Sequence, residues 1–155
     1  MRARLPLSRQ IAAWQFHKEY LAVVQGCPAE DSAVLRDLLF WDRTKNKSFV
    51  VKRQRGGVKD AELEYALLEA LPELSLLRVI LHTGRTHQIR VHMASIGHPL
   101  LGDTVYGSSR NPYHLEGQAL HAMILGFIHP VTEEYMEFEA PIPEYFSKLL
   151  DKLRK

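Results

Sequence analysis

The sequence predicts an α+β fold in which a central, mixed and mostly antiparallel β-sheet carries few flanking helices. Two observations lead to this prediction: strand-favouring segments recur along the chain, and only a few segments favour a helix. The chain has 155 residues, enough to bury a core, and it contains no repeat and no linker. One domain over residues 1–155 is therefore expected. The strand candidates are residues 20–25, 48–52, 76–81, 119–128 and 135–139.

The first half of the chain contains one predicted helix, two predicted strands and one ambiguous segment. Ser8 is a suitable N-cap for a short helix that ends at Phe16. Residues 20–25 and 48–52 are rich in β-forming residues, and glycines follow both segments. Residues 62–71 contain helix-favouring Leu, Ala and Glu, but some of their apolar side chains alternate as they do in a strand.

A helix with well-marked ends is predicted at residues 86–96, after the buried strand candidate at 76–81. Thr86 is the expected N-cap of this helix. Gly97 suits the left-handed position after the last turn, and Pro99 prevents the helix from continuing. The helix is therefore expected to end at residue 96.

Two strands and a last helix complete the predicted elements. Residues 119–128 are largely apolar, and residues 135–139 alternate between apolar and acidic side chains. Pro143 suits the first turn of the last helix, whose final turn contains basic residues that complement the helix dipole. One apolar stripe of this helix is expected to face the core, and it comprises Phe146, Leu149, Leu150 and Leu153.

The formal net charge of +2 hides two stretches of opposite charge. Residues 43–59 contain bases and no acid, which suits contact with the phosphates of a nucleic acid. The alternative is a hairpin tip that contacts only solvent. Residues 130–146 contain glutamates and no base. The bases are Arg43, Lys45, Lys47, Lys52, Arg53, Arg55 and Lys59.

The sequence disfavours several classes of protein. Its apolar runs are too short to cross a bilayer, and a single cysteine, Cys27, indicates a reducing compartment, which we take to be the cytoplasm. A metal enzyme is disfavoured because His87 and His92 are five residues apart, whereas helical zinc ligands usually lie four apart. A nucleophilic Cys27–His pair is disfavoured because Cys27 lies in a predicted turn. The oligomeric state is not predicted.

The most unusual stretch, residues 82–107, combines a glycine turn, a short helix and a glycine-bounded loop. Arg90 lies on the flank of the helix face that Ile89 and Met93 share. A guanidinium in this position needs an anion, either a ligand or a core carboxylate, because burying it unpaired is costly. Arg85 precedes the helix, where backbone N–H groups suit a phosphate.

A series of short segments resembles the RluA-type RNA pseudouridine synthases. The first contains Lys18, Tyr20 and Gly26 in a Lys-x-Tyr-x-Ala-x-Val-x-Gly pattern, and the longest is Gly-Arg-Thr-His-Gln-Ile-Arg-Val-His at residues 84–92. The segments follow one another in order over nearly the whole chain. They are residues 18–26, 84–92, 97–99, 102–107, 118–122, 127–132 and 138–141.

The resemblance implies a pseudouridine synthase-like domain that isomerises uridine to pseudouridine in structured rRNA or tRNA, with no cofactor and no metal. The base of a flipped nucleotide is released from nitrogen and rejoined through carbon. By resemblance, Tyr20 contacts the flipped base and assists proton removal, and Arg90 pairs with the catalytic aspartate. Arg90 is expected to point into a concave pocket that Tyr20 also lines, and Arg85 and His87 lie near this pocket and contact RNA. The resemblance also makes residues 62–71 a strand. Further basic side chains expected to bind RNA are Lys52, Arg53 and Arg55.

The sequence departs from the family in one respect. The family's catalytic aspartate belongs to a His-Arg-Leu-Asp block upstream of the Lys-x-Tyr segment, and the 17 residues before Lys18 contain neither Asp nor Glu. We therefore expect an N-terminally truncated catalytic domain that is inactive alone, with an RNA-binding paralogue that lacks catalysis as the alternative. Asp103 is expected to cap a turn. Arg90 is expected to be exposed to water or paired with a substitute acid.

Overall fold

The structure is a computed structural model, and the residues that it describes are 17–107, 113, 115, 117–129 and 131–154. The predicted helix between Ser8 and Phe16 lies outside the described residues. The strands are β1 (His17–Gln25), β2 (Ser32–Asp42), β3 (Lys47–Val51), β4 (Val58–Leu71), β5 (Leu74–Leu81), β6 (Leu120–Ile128) and β7 (Tyr135–Glu139). The helices are α1 (Gln88–Ser95) and α2 (Glu144–Leu153).

The seven strands form one sheet in the order β3-β2-β4-β5-β1-β6-β7, and each neighbouring pair is antiparallel. Side chains of β1 alternate between the two faces of the sheet. Leu21 packs in a buried cluster with Phe146 of α2, whereas Ala22 packs in a second cluster with Met93 of α1. The two helices therefore cover opposite faces. This arrangement confirms the predicted α+β fold with a mostly antiparallel sheet and few helices.

All five predicted strands are present, and the ambiguous segment 62–71 belongs to β4, as the resemblance implied. Leu63 and Tyr65 are buried opposite Leu81 and Val79 of β5. Strand β4 also pairs with β2 along its other edge. This pairing and burial outweigh the helix-favouring composition, because tertiary contacts override weak intrinsic propensities.

Strand β2 is not predicted from the sequence. It pairs with β4 over residues 32–40 and with β3 over residues 38–42. Apolar residues stand next to each other in this strand, as at Leu38 and Leu39, and the charged Arg36 lies among the apolar residues. The period of two that identifies a half-buried strand is therefore weak in this segment.

The start of α1 differs from the prediction. The helix begins at Gln88, and its N-cap is His87, whose backbone is left-handed with φ 56° and whose side chain makes no capping hydrogen bond. The Gln88 side-chain oxygen accepts hydrogen bonds from the backbone N–H of Arg85 at 2.9 Å and from the Thr83 hydroxyl at 2.6 Å. These bonds fasten the turn before the helix, so the prediction of Thr86 as N-cap is wrong.

The predicted role of Gly97 and the predicted apolar stripe of α2 are confirmed, whereas Pro143 is the N-cap of α2 and not part of its first turn. Gly97 follows α1 with φ 86°, a left-handed value that glycine adopts without strain. Pro143 immediately precedes the first residue of α2. The predicted apolar stripe of α2 is buried in the core, and its members are Phe146, Leu149, Leu150 and Leu153.

Candidate functional site

Arg90 of α1 is held by an acid from within the chain. Its Nε and Nη2 atoms donate hydrogen bonds to the two carboxylate oxygens of Asp103, at 2.8 and 3.0 Å. The Asp103 side chain is fully buried, and 13% of the Arg90 side chain is exposed. Burial alone would raise the pKa of Asp103, but the hydrogen bonds from Arg90 and from two backbone N–H groups bring this pKa below its ordinary value. Both side chains therefore remain charged near neutral pH.

Asp103 also organises the loop that follows it. Its Oδ1 atom accepts hydrogen bonds from the backbone N–H groups of Val105 and Tyr106, both at 3.1 Å. The predicted turn-capping role of Asp103 is confirmed. Arg90 is thus paired with an acid and not exposed to water, which is one of the two arrangements expected. Because that pairing is bidentate, it fixes the orientation of the guanidinium and ties α1 to the loop at residues 102–107.

Tyr106 connects this loop to strand β3 and to the start of α1. Its hydroxyl oxygen accepts a hydrogen bond from the backbone N–H of Ser48 at 2.7 Å and lies 2.7 Å from Nδ1 of His87. Because the Ser48 N–H can only donate, the Tyr106 hydroxyl keeps its own proton, and the contact with Nδ1 is a hydrogen bond whose donor depends on the tautomer of His87. Burial, and then the positive charge of Arg90, lower the pKa of His87. His87 is therefore a half-buried, neutral anchor near pH 7.

A cleft of about 230 Å³ lies beside the turn that precedes α1. Leu39 and Trp41 of β2 contribute apolar lining, and Lys59 of β4 and Arg85 contribute positive charge. The Arg85 Nε atom donates a hydrogen bond to the backbone carbonyl of Asp60 at 2.7 Å. The structure thus places Arg85 between the α1 turn and β4.

Tyr20 lies on the sheet face that α1 covers. It is half-buried in β1, opposite Val79 of β5, and packs against the cluster that contains Ile89 and Met93 of α1. Burial raises the pKa of the Tyr20 hydroxyl. Tyr20 and α1 therefore share one face of the sheet. A pocket shared by Tyr20 and Arg90 stays a prediction.

The basic residues predicted to bind RNA lie at one edge of the sheet, in the loop between β3 and β4. Lys52, Arg53 and Arg55 are all exposed. The guanidinium carbon of Arg55 lies 4.7 Å from the centre of the Phe40 ring, a cation–π contact that positions the side chain. Lys52 lines a second cleft, of about 700 Å³, which acidic side chains of β2 and β4 also line. The glutamates of β7 lie at the opposite edge of the sheet.

Comparison with known proteins identifies the family of the chain. A sequence model of RNA pseudouridylate synthases matches residues 3–95, more than half of the chain. The chain belongs to this family. It is 44% identical to the uncharacterized RNA pseudouridine synthase YlyB of Bacillus subtilis, over 89% of this chain and 44% of that protein. It is 39% identical to ribosomal large subunit pseudouridine synthase D of Zymomonas mobilis, over 97% of this chain and 49% of that protein.

Solved structures share the fold of this RNA pseudouridylate synthase family member. Human RNA pseudouridylate synthase domain containing 1 superposes with a TM-score of 0.76 at 24% identity, over 96% of this chain and 70% of that chain. Human RNA pseudouridylate synthase domain containing 4 gives the same TM-score at 22% identity, over 96% of this chain and 66% of that chain. The resemblance to the RluA type is confirmed, and the chain spans about half the length of the sequence relatives that it matches.

Several contacts of this region are not predicted from the sequence. Trp41 precedes the basic stretch and Tyr106 lies in the 102–107 segment, but neither position identifies a partner. The reason is distance along the chain, since Tyr106 and Ser48 are 58 residues apart.

Among the residues that the structure describes, no group of three or more His, Cys, Asp or Glu side chains is placed to hold a metal ion. Within the same described ranges, no helix has the length and apolar character of a membrane span.

Proposed function

We propose that this chain forms part of the catalytic domain of an RNA pseudouridine synthase that isomerises uridine in structured rRNA or tRNA. The observation that carries the proposal is the placement of Tyr20 on the α1 face of the sheet, in a chain of this family. The substrate is a nucleotide turned out of its stack, because a base inside a helix does not present its glycosidic bond to an enzyme.

Tyr20 is proposed to contact the flipped base. Because burial raises the pKa of its hydroxyl, Tyr20 is protonated at neutral pH and donates a hydrogen bond more readily than it removes a proton. Its half-buried ring also offers an aromatic surface beside the base. Orientation of the base is therefore the role that the chemistry of this side chain favours.

Arg90 is proposed to position the site through Asp103. Two of its guanidinium nitrogens already donate to Asp103, so a contact with the family's catalytic carboxylate uses the third nitrogen or displaces Asp103. Because Asp103 also caps the turn at Tyr106, a change at Arg90 is transmitted to His87 through the Tyr106 hydroxyl. This chain of bonds supports a positioning role.

The remaining site residues are proposed to contact RNA. Lys52, Arg53 and Arg55 are exposed charges suited to phosphates, and Arg85 lies at the rim of the smaller cleft. His87 is neutral near pH 7, so it acts there through hydrogen bonding and not through charge.

We also propose that residues 1–155 form one partial catalytic domain that acts in the cytoplasm. One continuous sheet supports the single domain, since it joins strands from His17 to Glu139. The exposed thiol of Cys27 supports the reducing compartment, because exposed thiols persist where glutathione keeps them reduced.

Residues 1–155 alone are proposed to be inactive, because the carboxylate of Asp103, which lies against Arg90, already forms an ion pair with it. Asp103 is fully buried and bonded to Arg90, so it is not available to attack or deprotonate a sugar. An enzyme whose nucleophile is not available typically loses several orders of magnitude in rate.

Tritium release from total cellular RNA tests this proposal. The purified chain is compared with a chimera in which the segment of Bacillus subtilis YlyB upstream of the matched region precedes this chain. We expect turnover from the chimera and no turnover from the chain alone. In a chimera whose added segment carries the family's His-Arg-Leu-Asp block, replacing its aspartate by asparagine should abolish turnover. Robust turnover by the chain alone would contradict the proposed inactivity. A folded chimera that binds RNA without turnover would contradict the proposed activity and indicate an RNA-binding paralogue.

A further inference from the structure

We propose that the cleft beside Trp41 is a binding subsite for one unpaired nucleotide of the RNA, with its base stacked on the indole and its phosphate at Lys59 and Arg85. This inference rests on the proposed function and deepens it, because it adds a second point at which the protein holds RNA that is not base-paired. The subsite is separate from Tyr20, which does not line this cleft.

The lining of the cleft suits a nucleotide. Trp41 and Leu39 offer apolar surface, and Ser48 and Thr86 add polar groups beside it. The volume of about 230 Å³ is enough for one base. Stacking on an aromatic side chain suits every base, because every base has a π-face, so the subsite is expected to select unpaired nucleotides more than a sequence.

The charge of the cleft separates it from the larger one. Lys59 and Arg85 lie along the 230 Å³ cleft, and among the described residues no acidic side chain lines it. The 700 Å³ cleft is lined by two cations, Arg36 and Lys52, but also by three acids, which repel phosphate. These acids are Asp37, Asp60 and Glu62. A negatively charged ligand therefore favours the smaller cleft.

Neighbouring contacts hold the indole in place before any ligand arrives. The ring of Trp41 meets the ring of His87 edge to face, with centroids 5.4 Å apart at 90°. His87 is in turn bonded to Tyr106, which holds the backbone of Ser48 in the neighbouring strand. Because the stacking surface is preorganised, less conformational entropy is lost when a base binds.

The bond from Arg85 to the carbonyl of Asp60 places a guanidinium at the cleft, close to the start of β4. Lys59 is the preceding residue of β4, and its side chain is exposed. The two cations therefore come from different segments that meet at this cleft. A phosphate beside the stacked base contacts both, which fixes the direction of the RNA strand across the subsite.

Tryptophan fluorescence tests the subsite in the full chain. The sequence has two tryptophans, so Trp14→Phe leaves Trp41 as the sole indole. This variant is titrated with a short, end-labelled oligouridylate, and Trp41 emission and label anisotropy are followed together at low salt. We expect quenching of Trp41 with the same midpoint as the anisotropy change. A blunt RNA hairpin of equal length is expected to bind with little quenching.

Two substitutions separate stacking from charge. Trp41→Leu is expected to weaken oligouridylate binding about tenfold and to change hairpin binding by less than about twofold. The salt slope is the slope of log affinity for RNA against log salt concentration. Lys59→Gln is expected to lower its magnitude by about 0.7, whereas Lys148→Gln on α2 leaves it unchanged. Circular dichroism and urea unfolding confirm that each variant is folded.

The possible failures are distinguishable. If anisotropy reports binding but Trp41 emission does not change, the subsite is overturned and RNA binding stands. The subsite is also overturned, while RNA binding stands, if the Trp41→Leu variant is folded and binds oligouridylate as tightly as its parent. If anisotropy detects no RNA binding at low salt, both the subsite and the RNA-binding part of the proposed function are overturned.

Discussion

The buried Arg90–Asp103 ion pair holds helix α1 against the loop at residues 102–107. Each member would be costly to bury alone, and the bidentate geometry together with two backbone N–H groups offsets that cost. Resemblance implied an aspartate as the partner of Arg90, and the structure supplies one from thirteen residues further along the chain.

Asp103→Asn tests how much the Arg90–Asp103 ion pair contributes to the free energy of unfolding. The substitution keeps the shape of the side chain but leaves the mostly buried Arg90 guanidinium without a counter-charge. We expect the free energy of unfolding to fall by about 3 kcal/mol in urea titrations. Asp151→Asn, at an exposed position of α2, is the matched control and should change it by less than about 0.5 kcal/mol. A loss from Asp103→Asn as small as that of the control would contradict this account.

His92 is the second residue-scale feature. It is fully buried, and neither ring nitrogen has a hydrogen-bond partner among the described residues. Burial lowers the pKa of His92 more than the carboxylate of Asp37, 3.7 Å from Nδ1, raises it. The folded state therefore binds this proton less tightly than the unfolded state. Stability is complete above the unfolded-state pKa of about 6.5 and is lost progressively as the pH falls toward the lowered folded-state pKa.

His92→Leu is expected to reduce this acid sensitivity. The substitution removes a buried proton acceptor and replaces it with an apolar side chain of similar size. Urea unfolding at pH 7.5 and pH 5.5 should show a smaller loss of stability in the variant than in the parent, with His87 accounting for part of the remainder. His82→Gln, at an exposed position, should keep the parental loss. An unchanged loss in His92→Leu would show that His92 does not couple folding to pH.

At the scale of elements, one hydroxyl group joins three parts of the fold. The Tyr106 hydroxyl contacts the Ser48 N–H of β3 and the His87 ring at the start of α1, while Asp103 holds the Tyr106 backbone. The hydroxyl therefore sets the position of the β2–β3 hairpin, and with it several of the basic residues, relative to α1.

Tyr106→Phe removes this connection without removing the ring. The Ser48 N–H and Nδ1 of His87 then lose their partner, which we expect to lower the free energy of unfolding by about 1–3 kcal/mol. Amide hydrogen exchange at Ser48 should accelerate more than exchange in β1, because the opening is local. Tyr145→Phe on α2, whose side chain is exposed, is the control. Equal protection of the Ser48 amide in both variants would contradict the role of Tyr106.

The sequence predicts those elements whose local pattern agrees with their environment. Strand β1 and helix α2 are examples, since an apolar run or stripe in each faces a buried cluster. Strand β2 is missed because it depends on its two partner strands. The start of α1 is misplaced because the turn before this helix depends on hydrogen bonds to the Gln88 side chain. The site residues follow the same rule: motifs identify Arg90 and Asp103 separately, and only the fold shows that they meet.

At the scale of the whole molecule, charge is separated across the sheet. The basic stretch lies at the β3 edge and the glutamates of β7 lie at the other edge. Such a separation orients a polyanion toward the basic edge and keeps it from the acidic one. RNA is therefore expected to approach the β3 side of the molecule.

Charge reversal tests this orientation. Glutamate in place of Lys52, Arg53 and Arg55 should weaken binding of structured RNA and reduce the magnitude of the salt slope by about 0.7–0.9 for each phosphate that the protein no longer neutralises. Reversal of Lys148 and Lys152 on α2 is the matched control and should have a smaller effect. Unchanged affinity after reversal of the three loop residues would place the RNA elsewhere.

The central claim is that the sheet face shared by Tyr20 and α1 is the catalytic face. The most direct test is single-turnover tritium release, at saturating RNA, by the YlyB chimera carrying Tyr20→Phe, with Tyr145→Phe on the opposite helix as the control. We predict a rate about a hundredfold lower for Tyr20→Phe with RNA affinity nearly unchanged, because the flipped base is no longer oriented for reaction. The control should retain the parental rate. A Tyr20→Phe chimera that is folded and turns over at the parental rate would contradict the claim.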